Sequence, residues 1–293
     1  MSNTKIMIFP TEIHAMQLPE WITSERWGEH TLLRVNTTWS TFCISLYGAH
    51  ALSYVPCGQK DLLWWSTRAF AQKGKPIRGG VPLCWPGFAE NTEPFHGTAR
   101  LQDWILVEAE MTEDYARLLL EPTLKHEVLQ VSLEVLVSDR LVLRLHSQNL
   151  GSEVMELTQA LHTYLQVSAW NDIALTGLDG CLFVDKLNAG SEGVQAGVLH
   201  PQEGIDRIYV HSGAVKVLDP GLNRVIWVRK AASGSTVVWH PAEKAATIAD
   251  MDSAEAEHFI CVEAANTHKD KVSLLPGDSW SLETVLSAEP LHV

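Results

Sequence analysis

The chain has 293 residues, 46% of them apolar, which is ample for a core and excludes a disordered protein. Its 22 basic and 35 acidic residues leave a net charge of −13, which excludes the basic footprint that nucleic acid or an anionic membrane surface requires. Five cysteines, odd in number and without a CxxC pair, exclude a disulfide framework and a zinc site of ordinary spacing.

Residues 1–20 lack a basic segment followed by an apolar run, so no signal peptide is expected, and no apolar stretch approaches 18 residues. These features point to a soluble protein of the reducing cytoplasm. Residues 1–30 show no clear period, and Pro10 and Pro19 suggest an irregular start. From Thr31 to Pro56 the pattern is strand-like, with Phe42, Ile44 and Leu46 alternating with Cys43, Ser45 and Tyr47 before Gly48 marks a turn. Leu62-Leu63-Trp64-Trp65 is a short apolar run.

A glycine- and proline-rich segment follows, Pro76-Ile77-Arg78-Gly79-Gly80-Val81-Pro82-Leu83-Cys84-Trp85-Pro86-Gly87-Phe88, closing with His96-Gly97-Thr98-Ala99-Arg100. Glycine permits positive φ and close approach of a ligand, whereas proline fixes φ and removes a donor. The segment is therefore predicted to be a shaped loop, a frequent carrier of function on a rigid scaffold.

Beyond it, Trp104–Val107 and Ala116–Leu120 are predicted strands. Val131, Leu133, Val135 and Val137 line one face of a further strand, and Leu143 and Leu145 face away from Arg144 and His146 in the next. Over Leu157–Val167 the alternation sets Leu161, Thr163, Leu165 and Val167 on one face and Ala160, His162, Tyr164 and Gln166 on the other. Ala242–Met251 is the one credible helix, short and rich in good helix formers. Short strands with turn signals, and no linker, low-complexity tract or repeat, predict an all-β chain: a single domain over 1–293, built as a large antiparallel β-sandwich.

The motif Ile77–Pro86 with His96–Arg100 resembles the signature of hexose-6-phosphate mutarotases (glucose-6-phosphate 1-epimerases), within the aldose 1-epimerase or galactose-mutarotase-like family. Ala160-Leu161-His162-Thr163-Tyr164-Leu165, Ile205-Asp206-Arg207-Ile208-Tyr209 and Phe259-Ile260-Cys261-Val262-Glu263 agree in the same order, so the similarity spans roughly residues 30–285. Gly87 stands where the family usually has an aromatic, Thr98 where it has Phe, and the loop from Phe88 to His96 is short. These departures bear on substrate fit. The resemblance implies a supersandwich with a sugar cleft on a concave face. It also implies an isomerase that needs no cofactor and exchanges sugar anomers by acid–base ring opening.

His162 lies off the apolar face of its strand. It reads as a surface histidine or as an acid–base group, since an imidazole titrates near ~6.5. Glu263 shares a strand face with Phe259 and Cys261, while Ile260 and Val262 share the other. It reads as a strand-end residue reaching water or as a partly buried base with a raised pKa. The resemblance assigns Glu263 as base and His162 as acid. Arg78 and Arg100 are solvated, salt-bridged or phosphate-binding; a guanidinium fork suits phosphate bidentately, and family matching places both at the sugar's phosphate. By the same matching His96 contacts the sugar and Asp206 holds ring hydroxyls.

None of the thirteen histidines falls in a ligand spacing with cysteines or carboxylates, so no metal is expected, and His126-Glu127 lacks the second histidine of a zinc-protease helix. No nucleotide-binding glycine fingerprint is present. The expected partner is a small-molecule sugar phosphate, handled by a monomer, with no nucleic acid and no membrane. An epimerase of unphosphorylated aldoses and a non-catalytic sugar-binding sandwich are the alternatives. A glycoside hydrolase, which normally uses two carboxylates, is disfavoured by a lone carboxylate beside a histidine.

Overall fold

The computed structural model describes residues 18–89 and 92–292. The regions expected to lack a signal peptide and to start irregularly fall largely outside these residues, as does part of the short loop after Phe88. Every strand pairing among the described residues is antiparallel, and the strands form two eight-stranded sheets, a four-stranded sheet and a two-stranded pair. The all-β sandwich expectation therefore holds.

The four-stranded sheet runs in chain order through Ile22–Trp27, His30–Asn36, Ser40–Ser45 and His50–Pro56. One eight-stranded sheet contains Trp104–Met111, Ala116–Pro122, Leu129–Val137, Leu141–Asn149 and the long Ser279–Pro290, then Arg224–Ala231, Val215–Asp219 and Ala174–Thr176. The other is centred on Phe259–Asn266, flanked by Ser235–His240 on one edge and by Gln159–Leu161 and Tyr164–Gln166 on the other. One core binds all three. Leu33 and Ile44 of the first sheet, Leu133 and Leu145 of the second, and Leu161 and Val262 of the third are buried together.

The alternation read from the sequence is realised where a sheet has one wet face. In Leu129–Val137 every second residue is buried and those between are partly or fully exposed. In Phe259–Asn266 all eight residues are buried. Ile260, Val262 and Ala264 enter the main core. The opposite face meets two smaller apolar clusters, Phe259 and Cys261 with Trp64, Tyr164 and Met251, and Ala265 with Cys84, Phe88 and Ala160. Loops thus roof the outer face of this sheet.

Four sequence expectations are corrected. Residues 22–30 are regular rather than irregular: Ile22–Trp27 pairs with His30–Asn36, and no period shows because only Ile22 of that strand is buried. Ala242–Met251 is not an α-helix. A 3-10 helix covers Ala242–Thr247 and stops at extended Ile248, as expected for a run too short to hold a helix by propensity. Leu157–Val167 is not one strand but the pieces Met155–Leu157, Gln159–Leu161 and Tyr164–Gln166.

The glycine- and proline-rich segment is more than a loop. Leu83–Cys84 adds to the edge of Gln159–Leu161, and Ala99–Leu101 is a 3-10 turn. Gly79 and Gly97 admit the chain's own backbone rather than a ligand. Gly79 has φ +100, and a Cβ there would lie 2.2 Å from Trp65 Cα; Gly97 has φ +72, and its Cβ would lie 2.2 Å from the Trp85 carbonyl oxygen. No helix among the described residues is long and apolar enough to cross a membrane.

Candidate active site

Tracing register along the central strand brings the candidates together. Leu161 pairs with Ala264 and Tyr164 with Cys261, so the register is unbroken across the gap between the two short strands. His162 therefore stands directly opposite Glu263, with its Nε2 3.4 Å from Glu263 Oε1. Across the gap His162 and Tyr164 donate their amides to the carbonyls of Pro82 (3.1 Å) and Gly80 (2.9 Å), and Thr163 accepts from the Val262 amide. The glycine-rich segment is thereby stitched to the strand that carries His162.

Glu263 is 1% exposed, which removes the strand-end reading, and His162 is 12% exposed, which removes the surface one. Glu263 Oε2 and His162 Nδ1 are buried and have no hydrogen-bond partner. Burial first, then the charge of Asp206, pushes the Glu263 carboxyl well above its ordinary value, with Lys186 opposing. Burial, then His96, Arg100 and Arg78, hold the His162 imidazole well below its ordinary value. Both shifts favour the neutral form of each group, with the facing atoms 3.4 Å apart.

The ring of His162 stacks on Tyr164 at 4.9 Å and meets Trp239 edge-on at 6.0 Å. His96 stands edge-on to His162 at 5.7 Å. The Ala89 amide donates to His96 Nδ1 at 3.1 Å, which leaves the proton of a neutral ring on Nε2, and burial followed by the Arg100 charge pushes His96 down to about 3. His96 is thus a neutral donor.

Arg78 donates from Nε to Asp250 Oδ1 (3.2 Å) and from Nη1 to the Tyr164 hydroxyl (3.1 Å), leaving Nη2. Burial works against its charge, but Tyr164 and Asp250 outweigh that and hold its pKa up. Arg100 gives Nη2 to the Phe95 carbonyl at 2.8 Å, while its buried Nε has no partner. Asp206 is half-buried on Ile205–Val210, opposite Trp239, and its charge reaches Glu263. All six expected residues therefore converge: His162 with Glu263, His96 and the two arginines around His162, and Asp206 on the Glu263 side.

Sequence reading missed four neighbours. Tyr164 shares a strand face with His162, so two-residue alternation could have found it. Asp250 lies 172 residues from Arg78, Lys186 sits in a 3-10 turn, and Trp239 lies on Ser235–His240; no local pattern marks any of them. The expectation of no metal-ligand grouping also needs correction. One donor atom from each of His162, Cys261 and Glu263 lies within 4.8 Å of the other two, a grouping made across strands that linear spacing could not show.

Residues 32–287 match the family model described as aldose 1-epimerase. A protein from Escherichia coli K12, provisionally named a glucose-6-phosphate 1-epimerase, is 33% identical over 236 residues, covering 75% of this chain and 78% of that one. One from Cenchrus ciliaris, of the same provisional name, is 28% identical over 273 residues, covering 84% and 81%. The crystal structure of a provisionally named mutarotase from Salmonella typhimurium superposes with a TM-score of 0.86 at 25% identity, covering 96% of this chain and 99% of that one. With a galactose-mutarotase-like sandwich and a family match over most of its length, this chain belongs to the aldose 1-epimerase family of isomerases.

Proposed function

We propose that this protein interconverts the α and β anomers of a hexose 6-phosphate, with glucose 6-phosphate the preferred substrate, acting as a monomer in the cytoplasm. The observation that carries the reading is the buried His162–Glu263 pair, 3.4 Å apart and flanked by two arginines. The names of the relatives from Escherichia coli and Cenchrus ciliaris support the substrate. The three buried free thiols, Cys43, Cys84 and Cys261, suit a reducing compartment.

Glu263 takes the proton of the anomeric hydroxyl while His162 gives one to the ring oxygen. The bond from C1 to the ring oxygen breaks, C1 becomes a carbonyl, the C1–C2 bond rotates, and closure reverses both transfers. Each such group contributes about 10²–10⁴-fold. The free pair has its proton placed by burial and by Arg78 and Arg100, which depress His162. A sugar phosphate offsets those two positive charges, so the proton moves to His162 and Glu263 is left as a carboxylate. Substrate binding thus arms both groups. His96 Nε2 and Asp206 serve as donor and acceptor for ring hydroxyls.

One observation favours the unphosphorylated-aldose reading. Arg78 is already engaged by Asp250 and Tyr164, and Arg100 by Phe95, as they would be if they only shaped the loop. Anomer exchange measured by NMR on glucose 6-phosphate, glucose and galactose separates the two. Exchange on glucose 6-phosphate at least about tenfold faster than on either free sugar is expected; equal rates would move the aldose reading ahead.

A further inference from the structure

Cys261 is a fully buried thiol that the acid–base reaction does not use. It precedes Glu263 by two residues on the same strand face, and His162 lies opposite Glu263. We propose that His162, Glu263 and Cys261 form a three-donor site for a thiophilic divalent cation, which occupies the catalytic pair and blocks the sugar. The inference rests on the proposed reaction only for its inhibitory consequence.

The geometry fits such an ion. A tetrahedral zinc with nitrogen and oxygen ligands at about 2.0–2.1 Å sets those ligands about 3.3 Å apart, close to the 3.4 Å between His162 Nε2 and Glu263 Oε1. A thiolate at about 2.3 Å needs an edge of about 3.5 Å, so within the 4.8 Å spread the cysteine corner closes by at most about 1.3 Å. On binding, the S–H bond is replaced by a metal–sulfur bond, the ion displaces the proton held on the His162–Glu263 pair, and both protons leave to solvent. The ion's two charges then balance one thiolate and one carboxylate, which removes the cost of burying either anion alone.

The surroundings make the ion an inhibitor rather than a resident cofactor. His162 Nδ1 has no partner, whereas ligating histidines ordinarily anchor the far ring nitrogen. The positive charges of Arg78 and Arg100, which reach His162, also oppose a cation. Exhaustive chelation should accordingly leave activity unchanged or raise it.

The test uses the full chain with zinc and cobalt as probes. Cobalt added without substrate should give a thiolate-to-cobalt charge-transfer band at one equivalent, bleached by zinc. Zinc should inhibit anomer exchange competitively with glucose 6-phosphate. Cys261→Ser should keep basal exchange within about twofold, abolish the band and weaken zinc inhibition about tenfold or more, in the range lost with a metal-site partner; Cys261→Ala replaces it if the serine variant does not fold. Absence of the band in the wild type, or zinc inhibition unaltered in a folded Cys261 variant, would overturn the site. A cobalt band in a protein without measurable exchange would sustain the site while removing the proposed reaction.

Discussion

Glu134 and Glu263 occupy strands of the two eight-stranded sheets, and their surroundings push them in opposite directions. Glu134 sits on the wet face of its sheet, bonded to Arg117 at 2.6 Å and to Arg144 at 2.9 Å, with Arg144 also bonded to Glu283. Burial alone would raise its pKa, but the two arginines outweigh burial and lower it. Glu263 lies under a roof of loops, has no arginine bonded to it, and is raised by burial and by Asp206. One carboxylate is stabilised as an ion; the other is biased towards its neutral form. The charge of a residue says little about its role until its neighbours across the sheet are known.

The largest expected effect follows directly. Glu263→Gln should abolish anomer exchange while thermal unfolding stays cooperative, whereas Glu134→Gln should leave exchange intact. Near wild-type exchange by folded Glu263→Gln would take the base away from this position. His162→Asn should lower kcat by at least about 10²-fold with KM little changed, because an acid acts in the transition state. A loss confined to KM would make His162 a binding residue and turn attention to His96.

The arginines sharpen the contrast next. Arg78→Ala and Arg100→Ala should each lower kcat/KM for glucose 6-phosphate about tenfold, in keeping with about 1.5–3 kcal/mol for a charge-assisted contact, and leave free glucose nearly untouched. Arg78→Lys should restore only part, since lysine has no fork. Equal losses on both sugars would leave the arginines a purely architectural role.

The pH profile of kcat/KM tests the shared proton. Activity needs one proton on the pair. It falls when a second proton reaches His162, whose pKa is lowered, and when the last leaves Glu263, whose pKa is raised. The acid limb should therefore lie below the ordinary imidazole value of 6.5 and the alkaline limb above the ordinary carboxyl value of 4.5, with a level region between. A limb centred at 6.5 would mean an imidazole titrating freely. The smallest effect is on stability: Glu134→Gln should cost about 1 kcal/mol or less by thermal unfolding, because ion pairs whose arginines stay partly exposed contribute little.

The same contrast explains what could be read in advance. Leu129–Val137 and Leu141–Asn149 have one wet face, so burial imposes a period of two that shows in the letters. Phe259–Asn266 is buried on both faces, so periodicity gave its faces but not the depth of Glu263. The six candidates were legible because they sit in compact motifs. Asp250, Lys186 and Trp239 were not, since each joins the site only through folding of distant chain. The break at His162 was hidden because the side-chain alternation and register run through it unchanged.

The unbroken register between His162 and Glu263 has a consequence for how substrate range and chemistry can change. Neighbouring strands lie about 4.7–4.9 Å apart whatever their sequence, so the sheet acts as a ruler between His162 and Glu263. Three of the four residues assigned to the sugar's periphery, Arg78, His96 and Arg100, hang from the segment between Pro76 and Arg100, and Asp206 lies two strands away from that of Glu263, so none of them sets that spacing. Loop exchange among relatives can therefore redirect the enzyme to another sugar without recalibrating the reaction, whereas a one-residue insertion between Leu161 and Tyr164 would place Glu263 opposite the wrong face and end it.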